Sequence, residues 1–135
     1  MTDLNNVTVG GRITSDLQDR QVAYLQNGTC VLNFSIANNK SVQKDGQWEN
    51  ECSFFNCVVF GKAAEKLKEK IRKGLKIVVV GRLEQQSWTD TNGDRKSKVQ
   101  IIVEHYDVEK TNDLINYDVE KTNDLMNYDG GVQWQ

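Results

Sequence analysis

The sequence has no long apolar run, a single histidine, no CxxC pair and no proline. Mean hydropathy is -0.62. Nothing approaches the roughly 20 apolar residues that a membrane-spanning helix needs, so no membrane span is expected. The opening Met1-Thr2-Asp3-Leu4 lacks the basic start and apolar stretch of a secretory signal, so a cytoplasmic location is expected. The odd count of three cysteines (Cys30, Cys52, Cys57) and the lone His105 argue against a disulfide framework or a zinc site. In a reducing compartment these cysteines should be free thiols packed in strands. The chain shows no P-loop, no carboxylate cluster at metal-ligand spacing and no nucleophile with a matching base. No enzyme activity, cofactor or metal is therefore expected, and His105, at a strand end beside Tyr106, reads as a surface residue.

The net charge of -2 disfavours a nucleic-acid binder only until its distribution is read. From Tyr106 onward there are seven acidic residues and two lysines. The remainder holds 15 basic and 12 acidic residues, a net +3. A basic body with an acidic tail is typical of proteins that handle nucleic acid and regulate access to it.

Hydrophobic periodicity organises the body. Val7, Val9, Gly11 and Ile13 alternate with polar or small neighbours, predicting a first strand. Gln21–Tyr24 predicts a short strand running into Asn27-Gly28, a strong hairpin signal. Cys30, Leu32, Phe34 and Ile36 share one face of the second main strand. Asn38–Asn50 is polar and reads as a mobile loop around a Lys44-Asp45-Gly46 turn. Ser53–Phe60 predicts a third strand. Ala63–Lys73 carries Ala64, Leu67 and Ile71 at helical spacing, with Gly74 as the expected C-cap. Leu75–Thr89 and Lys98–Glu104 predict two more strands around an Asn92-Gly93 hairpin.

Three strands, one helix and two strands is the order of an OB-fold, an all-β five-stranded Greek-key barrel. The predicted domain is 1–110, with the helix between strands three and four plugging an open end. The segment 111–135 is expected to be a flexible acidic tail. It contains an 11-residue repeat: Tyr106–Asn116 recurs as Tyr117–Asn127 with Ile115 replaced by Met126, and Tyr128-Asp129 begins a third copy. That period suits a slightly underwound helix, or a duplicated tail with no fold of its own.

Single strands are bound without sequence preference by basic side chains along the phosphates and aromatic rings stacked on bases. On the third strand Phe54, Asn56, Val58 and Phe60 share one face and Phe55, Cys57 and Val59 the other. A barrel buries only one of these faces, so at least one phenylalanine should lie outside the core. Trp88 is too near a hairpin tip for core packing, and either stacks on a base or packs across the hairpin.

These residues closely resemble the bacterial single-stranded DNA-binding proteins. The likeness lies in Asn6-Val7-Thr8-Val9-Gly10-Gly11-Arg12-Ile13, Val58-Val59-Phe60-Gly61-Lys62-Ala63-Ala64-Glu65, Arg72-Lys73-Gly74, Val80-Gly81-Arg82-Leu83, and Trp88-Thr89-Asp90 with Asn92-Gly93, and spans about residues 4–108. The resemblance implies a homotetramer wrapped by single-stranded DNA in replication, recombination and repair, associated with the nucleoid. It places base stacking on Phe54, Phe60 and Trp88. A further stacking position aligns with Val42, which is not aromatic; Trp48 either substitutes for it or packs the loop. Phosphate candidates are Arg12, Lys40, Lys62, Arg72, Lys73, Arg82, Arg95, Lys96 and Lys98. Lys66, Lys68 and Lys70 alternate with Glu65 and Glu69 and read as a solvated face. The resemblance also places subunit contacts at Asn6, Val7, Val9 and Phe55.

The C-terminus departs from that family. Its members usually close on a Gly/Pro/Gln-rich linker and an acidic tip ending in proline and phenylalanine. This chain has no proline and ends Gly130-Gly131-Val132-Gln133-Trp134-Gln135. Replication and repair proteins are candidate partners of the C-terminal tail, although it lacks the usual acidic tip. Trp134 is either a partner anchor or a free side chain. The competing reading of the whole chain is an OB-fold protein-interaction module with weakened DNA binding.

Overall fold

The computed structural model describes residues 1–109. Strand β1 (Val7–Ile13) leads through a short 3-10 turn (Asp19–Gln21) to β2 (Val22–Tyr24). Two long strands, β3 (Cys30–Lys44) and β4 (Gln47–Phe60), precede helix α1 (Lys62–Lys68). Two more, β5 (Lys76–Thr89) and β6 (Arg95–Val108), complete the fold. The sheet order is β1-β5-β6-β4-β3-β2, and β1 also pairs with β3. That second pairing closes five strands into a barrel, with β2 appended to the start of β3.

The alternation read from the sequence explains the core. Cys30, Leu32, Phe34 and Ile36 of β3 point inward, as do Cys57 and Val59 of β4 and Ile77 and Val79 of β5. Leu67 and Ala64 of α1 are completely buried and cover one end of the barrel. Burying the larger of these, such as Leu32, Ile36 and Leu67, contributes roughly 1.5–3 kcal/mol each. Two of the three cysteines, Cys30 and Cys57, are buried; Cys52 is exposed, and all are free thiols.

Three expectations need correction. The polar stretch Asn38–Asn50 is not a mobile loop: β3 and β4 stay paired through Lys44 and Gln47. Asp45 (φ 51) and Gly46 (φ 80) form the two-residue turn, and both have the positive φ that a hairpin twist favours. The ribbon escaped pattern reading because it projects past the barrel, where neither face is buried enough to impose alternation.

The helix is shorter than expected, ending at Lys68 rather than Lys73. The amides of Lys70 and Ile71 both turn back to the Leu67 carbonyl, and Gly74 (φ 89) donates its N–H to the Ile13 carbonyl at 2.8 Å. Gly74 thus ends a turn that docks on β1; it does not cap the helix.

Finally, β6 starts at Arg95 and runs to Val108, beyond the Lys98–Glu104 expected. A bulge opposite Val80/Gly81 leaves Glu104 as an extra residue. Ile101 and Val103 point inward before it and Tyr106 and Val108 after it, whereas Val99 is 55% exposed, and a one-residue shift breaks a period-two pattern. His105 consequently lies within β6, paired with Val80, and is exposed.

Burial also pushes the Cys57 thiol up to about 12 from 9.0. A raised folded-state value favours the native state while the unfolded thiol stays protonated. That stability is full below pH 9 and drains away as the pH rises toward 12. Between pH 9 and 11 the urea midpoint of the native protein should therefore fall more steeply than that of Cys57→Ala. Parallel pH profiles would show that the buried thiol carries no such linkage.

Candidate nucleic-acid interface

Strand β4 presents its inward residues to the core and its alternate residues to the outside. Trp48, Phe54 and Phe60 all occupy outward positions, in a register with β3 that is unbroken from Val31/Phe60 to Lys44/Gln47. At roughly 3.3 Å per residue, neighbouring rings in this row stand on the order of 20 Å apart along the strand. They are 70%, 67% and 45% exposed, and Trp88 of β5 is 44% exposed. Four large rings therefore stay in solvent on a domain whose core is already complete. Phe55, on the inward side of β4, is also partly exposed because it lies where the ribbon leaves the barrel.

Trp88 stands opposite Lys96, and Gln86 opposite Lys98. Trp88, Gln86, Ser87 and Lys98 line one shallow depression. Lys98 also lines a second groove, with Arg20, Asn33, Asn56 and Gln100 among its other walls. One lysine thus joins the Trp88 hairpin to the outer face of β3 and β4. Asn33 and Asn56 stand on that face beside the Val58 and Phe60 positions. The groove combines amides that donate and accept, two cations and neighbouring rings. Such a surface suits a strand offering phosphates on one side and unpaired bases on the other.

The expected cations fall into different situations. Lys98 makes no ion pair among the described residues, whereas Lys96 lies 3.9 Å from Asp90. Arg95 is exposed at the start of β6, opposite Thr89. Arg82 is paired with Glu104 at 3.4 Å. Arg12 donates to the Gly74 carbonyl at 3.0 Å. Lys62 is exposed at the first turn of α1, and Arg72 and Lys73 are exposed in the turn before β5. Lys40 is ion-paired with Glu51 at 3.6 Å, and Lys44 holds Glu51 at 3.0 Å. Lys40, Val42 and Lys44 alternate with the outward positions, so they lie on the ribbon face opposite Trp48 and Phe54. Trp48 accordingly extends the β4 row and does not occupy the face of Val42.

Asn6 is exposed and Val7 and Val9 are half-buried. Strand β1 pairs along its length with β5, but with β3 only at Arg12 and Ile13. The outer edge of Val7–Gly10 is therefore largely unpaired by sheet, although the Asn38 side chain donates to the Gly10 carbonyl at 2.7 Å.

Arg20 and Gln100 were not singled out from the sequence. Arg20 sits in the β1–β2 connection, and nothing local distinguishes it from any solvated charge. Gln100 had a signal: it interrupts the apolar run Val99–Val103, and at 5% exposed it is the one buried polar side chain among the described residues.

A closed five-stranded barrel with one helix at its end, and a row of rings on its outer face, defines an OB-fold of the kind that offers its surface to single-stranded nucleic acid. Residues 4–109 match the single-strand binding protein family, and the chain belongs to that family. It is 42% identical over 106 residues to a single-stranded DNA-binding protein of Borreliella burgdorferi, covering 78% of this chain and 69% of that protein. It is 37% identical over 103 residues to the Aquifex aeolicus protein of the same description, covering 76% and 67%. Among solved structures, it is similar to Plasmodium falciparum SSB in complex with ssDNA (TM-score 0.67, 25% identity, 80% of this chain and 95% of that one). It is also similar to a deletion mutant of the Thermus aquaticus single-stranded DNA binding protein (TM-score 0.68, 27% identity, 81% of this chain and 52% of that one).

Proposed function

We propose that this protein binds and coats single-stranded DNA without sequence specificity, serving replication, recombination and repair. The observation that carries the reading is the row of exposed rings on the outer face of β4, with Trp88 and Lys98 beside it, in a chain of this family. Rings accept any base, so stacking gives affinity without sequence readout. Titration with oligonucleotides should quench tryptophan fluorescence, with small differences between base compositions and weaker binding at higher salt. Equal affinity for duplex and single strand would overturn the reading.

Among the cations, Lys98 contacts phosphate and Lys40 does not. Lys98→Ala should flatten the dependence of log affinity on log salt by about 0.7, the value for one phosphate contact on a single strand. Lys40→Ala should leave that slope unchanged, because its charge is held by Glu51 on the other face of the ribbon. The opposite pattern would move the phosphate path to that face.

The protein assembles as a homotetramer, with contacts through Asn6, Val7, Val9 and Phe55. The incompletely paired edge of β1 and the partly exposed Phe55 ring support this. Residues 1–110 form the DNA-binding domain and 111–135 a separate acidic tail that competes with DNA for the basic surface; 110–135 lie outside the described residues. Deleting 112–135 should leave the oligomer unchanged in light scattering and tighten DNA binding at low salt. Loss of the tetramer, or unchanged affinity, would refute that division. The protein acts in the cytoplasm with the nucleoid; among the described residues no helix is long and apolar enough to cross a membrane.

A further inference from the structure

The last stretch of β6 is held differently from the rest of that strand. Beyond the bulge it pairs with β5: Tyr106 opposite Val79, Asp107 opposite Val78 and Val108 opposite Ile77. Strand β4 meets β6 only earlier, at Ile101 and Ile102. The contacts of this stretch are specific. Tyr106 and Val108 pack on the core, and the Tyr106 hydroxyl donates to the Ala63 carbonyl at 3.3 Å. The Glu109 amide donates to the Lys76 carbonyl at 3.0 Å, and its carboxylate accepts from the Lys76 amide at 3.4 Å. The edge of β5 over Lys76–Val79 is therefore a slot fitted to the segment Tyr-Asp-Val-Glu.

The chain carries that segment twice. Tyr117-Asp118-Val119-Glu120 repeats Tyr106–Glu109, eleven residues on, and is followed by the same Lys-Thr-Asn-Asp-Leu. The third start, Tyr128-Asp129, runs into Gly130 and lacks the valine and glutamate. We propose that the β5 slot binds either copy, so that the end of β6 exchanges between two registers of the same chain with the bulge as the point of release.

The second copy has every side chain that the slot contacts. The difference is loop closure, whose statistical weight falls as roughly the −3/2 power of length. Eleven additional residues then leave the second register at roughly one part in forty or less. A tethered copy meets its own slot at an effective concentration on the order of millimolar, which favours exchange within a chain over exchange between chains. The slot thus stays filled when the first copy is lost, and the segment beyond the barrel shortens by one repeat.

Disulfide trapping in the full chain tests this. Cys52 is replaced by serine to remove the exposed thiol. Val78→Cys with Asp107→Cys serves as the reference, because these positions are partners. Val78→Cys with Asp118→Cys probes the second register, and Val78→Cys with Asn123→Cys reports random collision. The 78–118 disulfide should form within one subunit, slower than the reference by the population ratio and faster than 78–123. A yield no better than 78–123, or a disulfide joining two subunits, overturns the proposal. Stability supplies a second measurement. Tyr106→Ala with Val108→Ala should lower the urea midpoint. Adding Tyr117→Ala with Val119→Ala should lower it further, although that pair alone has no effect. Equal midpoints with and without the second pair also overturn it.

Discussion

Replacing Trp88 and Phe60 together with alanine is expected to weaken binding of a single-stranded oligonucleotide by at least about thirtyfold, without unfolding the domain. Each stacked ring contributes roughly 1–3 kcal/mol. Two rings acting independently reach roughly 2–6 kcal/mol, and every 1.4 kcal/mol is about a factor of ten. The fold should survive because both rings are nearly half exposed and neither belongs to the core cluster. Because the loss is one of stacking, the double variant should keep the salt slope of the native protein while its affinity drops at every salt concentration. Fluorescence anisotropy with a labelled oligonucleotide measures both, and circular dichroism checks the fold. An affinity within threefold of the native protein would remove the rings from the mechanism and favour the reading of this barrel as a protein-interaction module.

Gly81→Ala should be the most damaging single methyl in the domain. Gly81 is buried where β5 meets the bulge of β6. A Cβ there would fall on the carbonyl oxygen of Ile102, 2.9 Å from its carbonyl carbon and 3.1 Å from the Val103 Cα. These are backbone atoms of a strand paired on both sides, so no side-chain rotation relieves the clash. Overpacking typically costs roughly 1–3 kcal/mol where side chains can adjust. Here the barrel wall must move, and a loss of about 3 kcal/mol or more is expected. At roughly 4–8 °C per kcal/mol for a domain of this size, the thermal midpoint should fall by more than about 10 °C. Gly10→Ala is the control. Its added methyl meets the Val78 Cγ2 at 3.4 Å, which is ordinary side-chain contact, and the midpoint should move little. Similar midpoints for the two variants would mean that β6 is free to retreat from Gly81.

Both effects bear on what was legible before the structure. Gly81 was readable only as one residue of a family-like Val80-Gly81-Arg82-Leu83 segment; its reason, a backbone crossing, is a relation between two strands distant in sequence. Trp88 was legible as a ring outside the core because a large apolar side chain near a hairpin tip has little around it to pack against. Phe54 and Phe60 were legible as a same-face pair, but which face of β4 points inward was settled only by Cys57 and Val59 packing into the barrel core. In sequence Lys98 differed from Lys40 only by its cluster with Arg95 and Lys96 beside the Trp88 hairpin. The paired ribbon put Lys40 on the opposite face with a carboxylate, and the sheet put Lys98 between two depressions lined by the site.

The sequence by itself determined the element order, the inward positions of β3 and the presence of aromatic rings outside the core. All of these follow from local periodicity and from which residues a small core can accommodate. Tertiary structure alone decided that the polar stretch after Ala37 is a paired ribbon, that the helix stops at Lys68, and that β6 runs past its bulge to Val108. In each case a partner outside the element itself decided the outcome. The Ile13 carbonyl takes the Gly74 amide and the edge of β5 receives Tyr106 and Val108, partners too distant in sequence for one window to contain both; the ribbon's partners are close in sequence, but a pairing with no buried face leaves no alternation to read.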